Sequence, residues 1–260
     1  MKELKLLVAL SVALLASTLV GGCGSNAAPP NTPTPAPPPA PPPVPPSNST
    51  TIADIQNLGG WETCTAACAG APLAVFSMTQ GVTSPSLSGA SARFQLLAGT
   101  QPYGGALWFK YLGSFDNATH FVYDLFFYLD NPAAPQALEF NVSQSANGSW
   151  YNFATQCDLA GNQAWRVWDP VALKWTPSGV SCVRPAANTW NHLVWEFERD
   201  SMGNVIFTAV TLNGSRQTVN LSMPHVADSQ SGLDVAFQVD ADLNATLYSV
   251  WLDKISLTFW

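Results

Sequence analysis

From Pro72 to the C-terminus the chain is a succession of short segments in which apolar and polar residues alternate, with no helical periodicity lasting beyond two turns. Successive side chains of an extended strand point to opposite faces, so the pattern predicts an all-β body. The clearest strand runs are Thr119 to Asp130, Gln136 to Gln144, Gly148 to Asp158, Gln163 to Asp169, Trp190 to Arg199, Asn204 to Leu212, Leu233 to Asp240 and Thr246 to Trp260. Turn residues separate them, among them Asp130-Asn131-Pro132, Ala146-Asn147-Gly148 and Asn213-Gly214-Ser215. Asn213-Gly214 between two strand patterns is a hairpin signal, because both residues tolerate positive φ. In Leu233 to Asp240 every odd position is apolar and most even ones are polar, and Leu138, Phe140 and Val142 alternate in the same way with Glu139, Asn141 and Ser143. Each such strand has one face to pack and one to leave wet. Two antiparallel sheets packed as a sandwich account for this better than a closed barrel.

The stretch Thr189-Trp190-Asn191-His192-Leu193-Val194-Trp195-Glu196-Phe197, followed by Val210-Thr211-Leu212-Asn213-Gly214 and closed by Val250 to Ile255, resembles the concanavalin A-like and laminin-G-like jelly-roll superfamily. The resemblance covers about residues 100–260 and implies a two-sheet antiparallel jelly-roll sandwich. That fold hosts lectins, glycan hydrolases, polysaccharide lyases and adhesion modules, so function must be argued from side chains.

Glu139-Phe140-Asn141-Val142-Ser143-Gln144 is similar to the Glu-x-Asp-x-(x)-Glu strand of jelly-roll glucanases. The resemblance implies Glu139 as nucleophile. Asn141 stands in place of the helper acid and Gln144, in the bulged form of the motif, in place of the acid/base. Retaining hydrolysis needs two carboxyl groups about 5–5.5 Å apart, and an amide cannot give up a proton to the leaving group. A remote carboxylate such as Asp158, Asp169 or Asp240 would have to fold in opposite Glu139. A lyase would need a trio of neutralising residues and a Tyr or His base; the Gln-Ile-His signature is absent, and Gln238-Val239-Asp240 departs from it at the histidine. No Gly-x-Ser-x-Gly elbow, phosphate loop or His-Glu-x-x-His occurs.

Binding is the preferred reading. In Gln163 to Asp169, Trp165 and Val167 share one face while Arg166 and Trp168 share the other, with Trp150, Tyr151 and Trp175 close in sequence. Flat rings beside hydrogen-bonding groups suit sugars, whose C–H faces are apolar and whose rims are polar. Most tryptophans of a sandwich belong to its core, so only some are offered as platforms. The expectation is therefore a domain that binds extracellular carbohydrate without cleaving it, through Glu139, Asn141, Gln144, Asn152, Gln156, Arg166, Trp168 and Gln238. The alternatives are a glycan-degrading enzyme with Glu139 in its site and a structural or adhesion module. No cofactor is required; calcium is the one option, held by Asp240 and Asp242 in Asp240-Ala241-Asp242-Leu243-Asn244, since laminin-G-like domains bind it through loop carboxylates. His120, His192 and His225 are isolated in the sequence.

The N-terminal part is different in kind. Lys2 and Lys5 precede an apolar run from Leu6 to Val20, which predicts an export signal over residues 1–22. Leu19-Val20-Gly21-Gly22-Cys23 resembles a bacterial lipobox, which implies lipidation of Cys23, a membrane contact through that lipid, and a place in the bacterial cell envelope at the outer membrane or cell surface. Residues 23–50 read as a linker whose proline-dense part, Pro29 to Pro46, forms a polyproline II rod of about 55 Å. Residues 51–260 form the sandwich. Four cysteines remain, Cys64, Cys68, Cys157 and Cys182, and an exported chain permits disulfides. Three pairings exist; Cys64–Cys68 with Cys157–Cys182 is favoured because it closes one tight turn and one loop of intermediate size. The 10 Lys and Arg against 17 Asp and Glu, a net charge of −7, disfavour a nucleic-acid partner.

Overall fold

The computed structural model describes residues 43–64 and 71–260. The expected export signal, the lipid site at Cys23, most of the proline rod and Cys68 lie outside the described residues.

Two antiparallel sheets make up the body. In the first the order is β13 (Ser215–Met223), β12 (Val205–Leu212), β11 (Trp190–Arg199), β6 (His120–Leu129), β16 (Ser249–Phe259), β4 (Ser91–Leu96) and β3 (Phe76–Val82), with β1 (Thr50–Ile52) also paired to β16. In the second it is β10 (Lys174–Ser181), β9 (Ala164–Asp169), β8 (Ser149–Asp158), β7 (Pro135–Ala146), β15 (Gly232–Ala241), β5 (Gly105–Gly113) and β2 (Glu62–Cys64), with β14 (Val226–Ala227) on β8. This is the expected jelly-roll sandwich. Every run marked as a strand in the sequence is one, with ends shifted by at most a few residues.

The two Asn-Gly pairs turn as expected. Asn213 and Gly214 have φ of 50° and 81°, and Asn147 and Gly148 have 53° and 82°. Positive φ at both central residues matches the twist of the flanking strands, which is why Asn-Gly makes tight hairpins between β12 and β13 and between β7 and β8.

The inward faces hold an aromatic chain that passes from sheet to sheet. Phe94 of β4 meets Trp108 of β5 at 5.1 Å and Phe237 of β15 at 5.0 Å between ring centroids. Phe237 continues to Phe140 of β7 at 5.3 Å, and Trp165 of β9 meets Trp195 of β11 edge-on at 5.2 Å. All are fully buried, and edge-to-face pairs contribute about 0.5–1.5 kcal/mol each beyond their burial. Cys157 of β8 is bridged to Cys182 just after β10, 25 positions further along the sequence, the longer of the two favoured pairings. Cys64 is also disulfide-bonded.

Gln144 departs from expectation. Strands β7 and β8 pair without a register shift from Ala137 to Ala146, so there is no bulge and Gln144 falls on the inward face with Val142. It is fully buried, its amide donates to the Phe115 and Ala118 carbonyls at 2.9 and 3.0 Å, and Arg199 Nη1 donates to its oxygen at 3.1 Å. It is a strut under the Phe115–Ala118 segment and takes no part in the outer face.

Candidate functional site

The outer face of the second sheet is ordered by register into rows that cross its strands. In one row Leu107, Gln238, Glu139, Gln156 and Arg166 are successive partners on β5, β15, β7, β8 and β9. In the next, Phe109, Ala236, Asn141 and Ala154 follow one another, and Trp168 pairs with Trp175 across β9 and β10. In the third, Asp234, Ser143 and Asn152 are partners. The middle row sets the shape: alanines at its centre leave a notch, and rings rise at both ends. The result is a cleft of about 420 Å³ with Phe109 on one side and Trp168 and Trp175 on the other. The two indoles pack edge-on at 5.3 Å between centroids.

The polar floor is almost hidden although it belongs to a surface sheet: Glu139 is 6% exposed and Gln238 4%. Glu139 accepts from Gln156 Nε2 at 3.0 Å and Gln238 Nε2 at 3.1 Å, and Asn141 also donates to it. Its other neighbour is Asp240, which accepts from the same Gln238 nitrogen at 2.9 Å. One amide nitrogen thus bridges the two carboxyl groups. Burial, then the charge of Asp240, pushes Glu139 well above the usual carboxylate range; burial raises Asp240 to about 7. Two buried carboxyl groups bridged by one donor resist ionising together. Asp240, one of the three remote carboxylates that the hydrolase alternative required, thus stands beside Glu139. The companion comes from a strand far away in sequence.

Further along the cleft Asp234 is raised to about 7 by burial, partly countered by a hydrogen bond with Ser143. Ser143 Oγ also accepts from Trp150 Nε1. The segment 139–143 spans four residues, so Asp234, opposite Ser143, stands about 14 Å along the strands from Glu139.

Of the residues expected at a binding face, Glu139, Asn141, Asn152, Trp168 and Gln238 line the cleft. Gln156 lies beneath as a partner of Glu139. Arg166 shares the face but is ion-paired with the buried Asp158, whose oxygens also accept from the Gly161 and Asn162 amides. Trp165 and Val167 alternate into the core. Gln144, as described above, is on the wrong face. Of the two calcium candidates, Asp240 shares the Gln238 donor with Glu139, while Asp242 closes a turn by accepting from the Asn244 and Thr246 amides at 3.1 and 2.9 Å. Among the described residues no three His, Cys, Asp or Glu side chains converge on a metal position. The histidines are all partnered away from the cleft, His120 with Thr119, His192 with Asp124 and His225 with the Gly203 carbonyl. Sequence reasoning passed over Asp234 and the notch-forming Ala154 and Ala236; Asp234 and Ala236 share the parity of Gln238, which was a usable signal.

The chain is thus a two-sheet antiparallel jelly-roll sandwich with an aromatic-walled polar cleft on the outside of one sheet. Among solved structures it is similar to the marine PL-14 alginate lyase from Aplysia kurodai, at 12% identity over 70% of this chain and 86% of that one with a TM-score of 0.51. It is also similar to the cellulose-induced protein Cip1, at 14% identity over 79% and 96% with a TM-score of 0.50. Lectin I from Ulex europaeus, solved with the methyl glycoside of α-L-fucose, aligns at 11% identity over 82% and 98% with a TM-score of 0.48. No protein-family model matches the chain, and no curated protein does.

Proposed function

We propose that the cleft binds carbohydrate. The observation that carries this reading is its amphipathic construction: Phe109, Trp168 and Trp175 stand as walls over a floor of Asn141, Asn152, Gln238 and Glu139. Such a lining meets the apolar face of a pyranose with rings and its hydroxyls with amides and a carboxyl group. One relative in fold is named as a lyase of the polysaccharide alginate. In the full chain, the export signal, a lipid on Cys23 and the proline rod would hold this sandwich at the outer surface of a bacterial envelope.

A glycan array on the full chain, followed by titration calorimetry on the hits, tests the reading. Carbohydrate binding that Trp168→Ala and Trp175→Ala weaken while folding is retained supports it. An absence of binding, or binding indifferent to both changes, overturns it.

A second reading, hydrolysis, is favoured by the neighbouring carboxyl groups of Glu139 and Asp240, which share the Gln238 nitrogen as donor. Glycosidases keep their two carboxyl groups about 5–5.5 or 6.5–9.5 Å apart with the sugar between them, and Asp234 lies too far along the strands from Glu139 to serve as the second. A reducing-sugar assay decides: turnover lost in Glu139→Gln establishes an enzyme, and its absence leaves binding.

A further inference from the structure

The cleft does not end at Trp150. A second hollow of about 360 Å³ adjoins it, with Ser143, Trp150 and Asp234 lining both. Beyond that ridge the second hollow is lined by Ser145, Val226, Ala227, Asp228 and Gln230. From the Glu139 row to Ser145 is six residues of β7, about 20 Å along the strand, so the two hollows follow one line.

Among the described residues no cationic side chain faces that line. The ionisable side chains facing it are Glu139, Asp234 and Asp228. The sequence holds 10 Lys and Arg and 3 His; apart from Lys2 and Lys5 all belong to the described residues, and none lines either hollow. Arg166, the nearest on the same face, is neutralised by Asp158. Asp228 is held below the ordinary carboxylate value by Ser145 and the Gln230 amide, so it is charged at neutral pH. The remaining polar contacts are amides and hydroxyls.

Building on the carbohydrate reading above, we propose that the two hollows form one groove that takes an extended, uncharged glycan chain across the Trp150–Ser143 ridge and rejects polyuronates. A uronate carboxylate would be desolvated beside acids with no cation to receive it, whereas hydroxyls bond well to amides and carboxylates. The negative net charge of the protein adds long-range repulsion of a polyanion.

The test uses the full chain, neutral oligosaccharides of two to six units drawn from β-glucan, xylan, mannan and N-acetylglucosamine polymers, and alginate and polygalacturonate oligomers of matched length, all at low salt. The expected result is binding of at least one neutral series at least tenfold tighter than either uronate series, with affinity rising at least tenfold from two units to six. Ala227→Trp, which fills the second hollow from its exposed rim, should bring six-unit affinity down to the two-unit value of the parent. Uronate affinity equal to or above neutral affinity overturns the charge argument. Length independence, or six-unit binding unmoved by Ala227→Trp, overturns the single groove. Failure of every glycan to bind overturns the carbohydrate reading along with the inference.

Discussion

Glu139 and Asp240 are held by one donor: the Gln238 side-chain nitrogen stands 3.1 Å from Glu139 Oε1 and 2.9 Å from Asp240 Oδ1. Burial raises both acids, and each titrates against the other. In Asp240→Asn the like charge disappears while burial stays, so the Glu139 carboxyl should titrate at lower pH than in the parent. Carbon-13 NMR of the labelled glutamate side chain measures this; an unchanged midpoint would mean the two carboxyls are independent.

Stability should fall as the solution is made alkaline. Asp234 and Asp240 are each raised from 3.8 to about 7 in the folded protein, so the folded state retains protons that the unfolded chain releases from about pH 4 upward. Their contribution is complete below the unfolded value and is lost as pH rises through about 7. Asp253, pulled down against its burial by hydrogen bonds from Ser86, Ser88 and the Leu87 amide, acts in the opposite sense, losing its contribution as pH falls through its depressed value. Melting temperature should therefore peak near pH 4–5 and drop by several degrees by pH 8. The double change Asp234→Asn with Asp240→Asn should flatten that slope, as differential scanning calorimetry would record.

The tryptophans should separate by face. Trp168→Ala and Trp175→Ala remove half-buried cleft walls and are expected to weaken glycan binding by about 1–2 kcal/mol, roughly five- to thirtyfold, with little change in melting temperature. Trp165→Ala empties the core beside Trp195 and should cost about 3–5 kcal/mol of stability. Denaturant melts paired with calorimetry distinguish the two classes; loss of stability from Trp168→Ala would place that ring in the core.

Gln144→Ala should destabilise without touching the ligand. It leaves the Phe115 and Ala118 carbonyls and Arg199 short of a partner, worth about 1–3 kcal/mol. A glycan affinity that changes in step would contradict its inward position.

Reduction of Cys157–Cys182 removes a constraint on a loop of 25 residues, about 3.5 kcal/mol on the chain-entropy estimate. The pair Cys157→Ser with Cys182→Ser should lower the urea midpoint by a corresponding amount at unchanged slope.

Much of this architecture was legible residue by residue. Alternation is a local property with a period of two, so the chain alone determined that Phe140 and Trp165 go inward while Glu139, Asn141, Trp168 and Gln238 go outward, and Asn-Gly marked two hairpins by its tolerance of positive φ. Gln144 shows the limit of that logic: an imagined bulge shifts parity by one and sends every later side chain to the other face, and only the unbroken β7–β8 register settles where it points. Strand neighbours were beyond the pattern altogether. β15 lies beside β7 across nearly a hundred residues, because burying the whole aromatic core selects that pairing over local ones. That one adjacency brings Asp240 to Glu139, sets Asp234 opposite Ser143 and aligns Ala236 with Asn141, turning a row of outward side chains into a cleft.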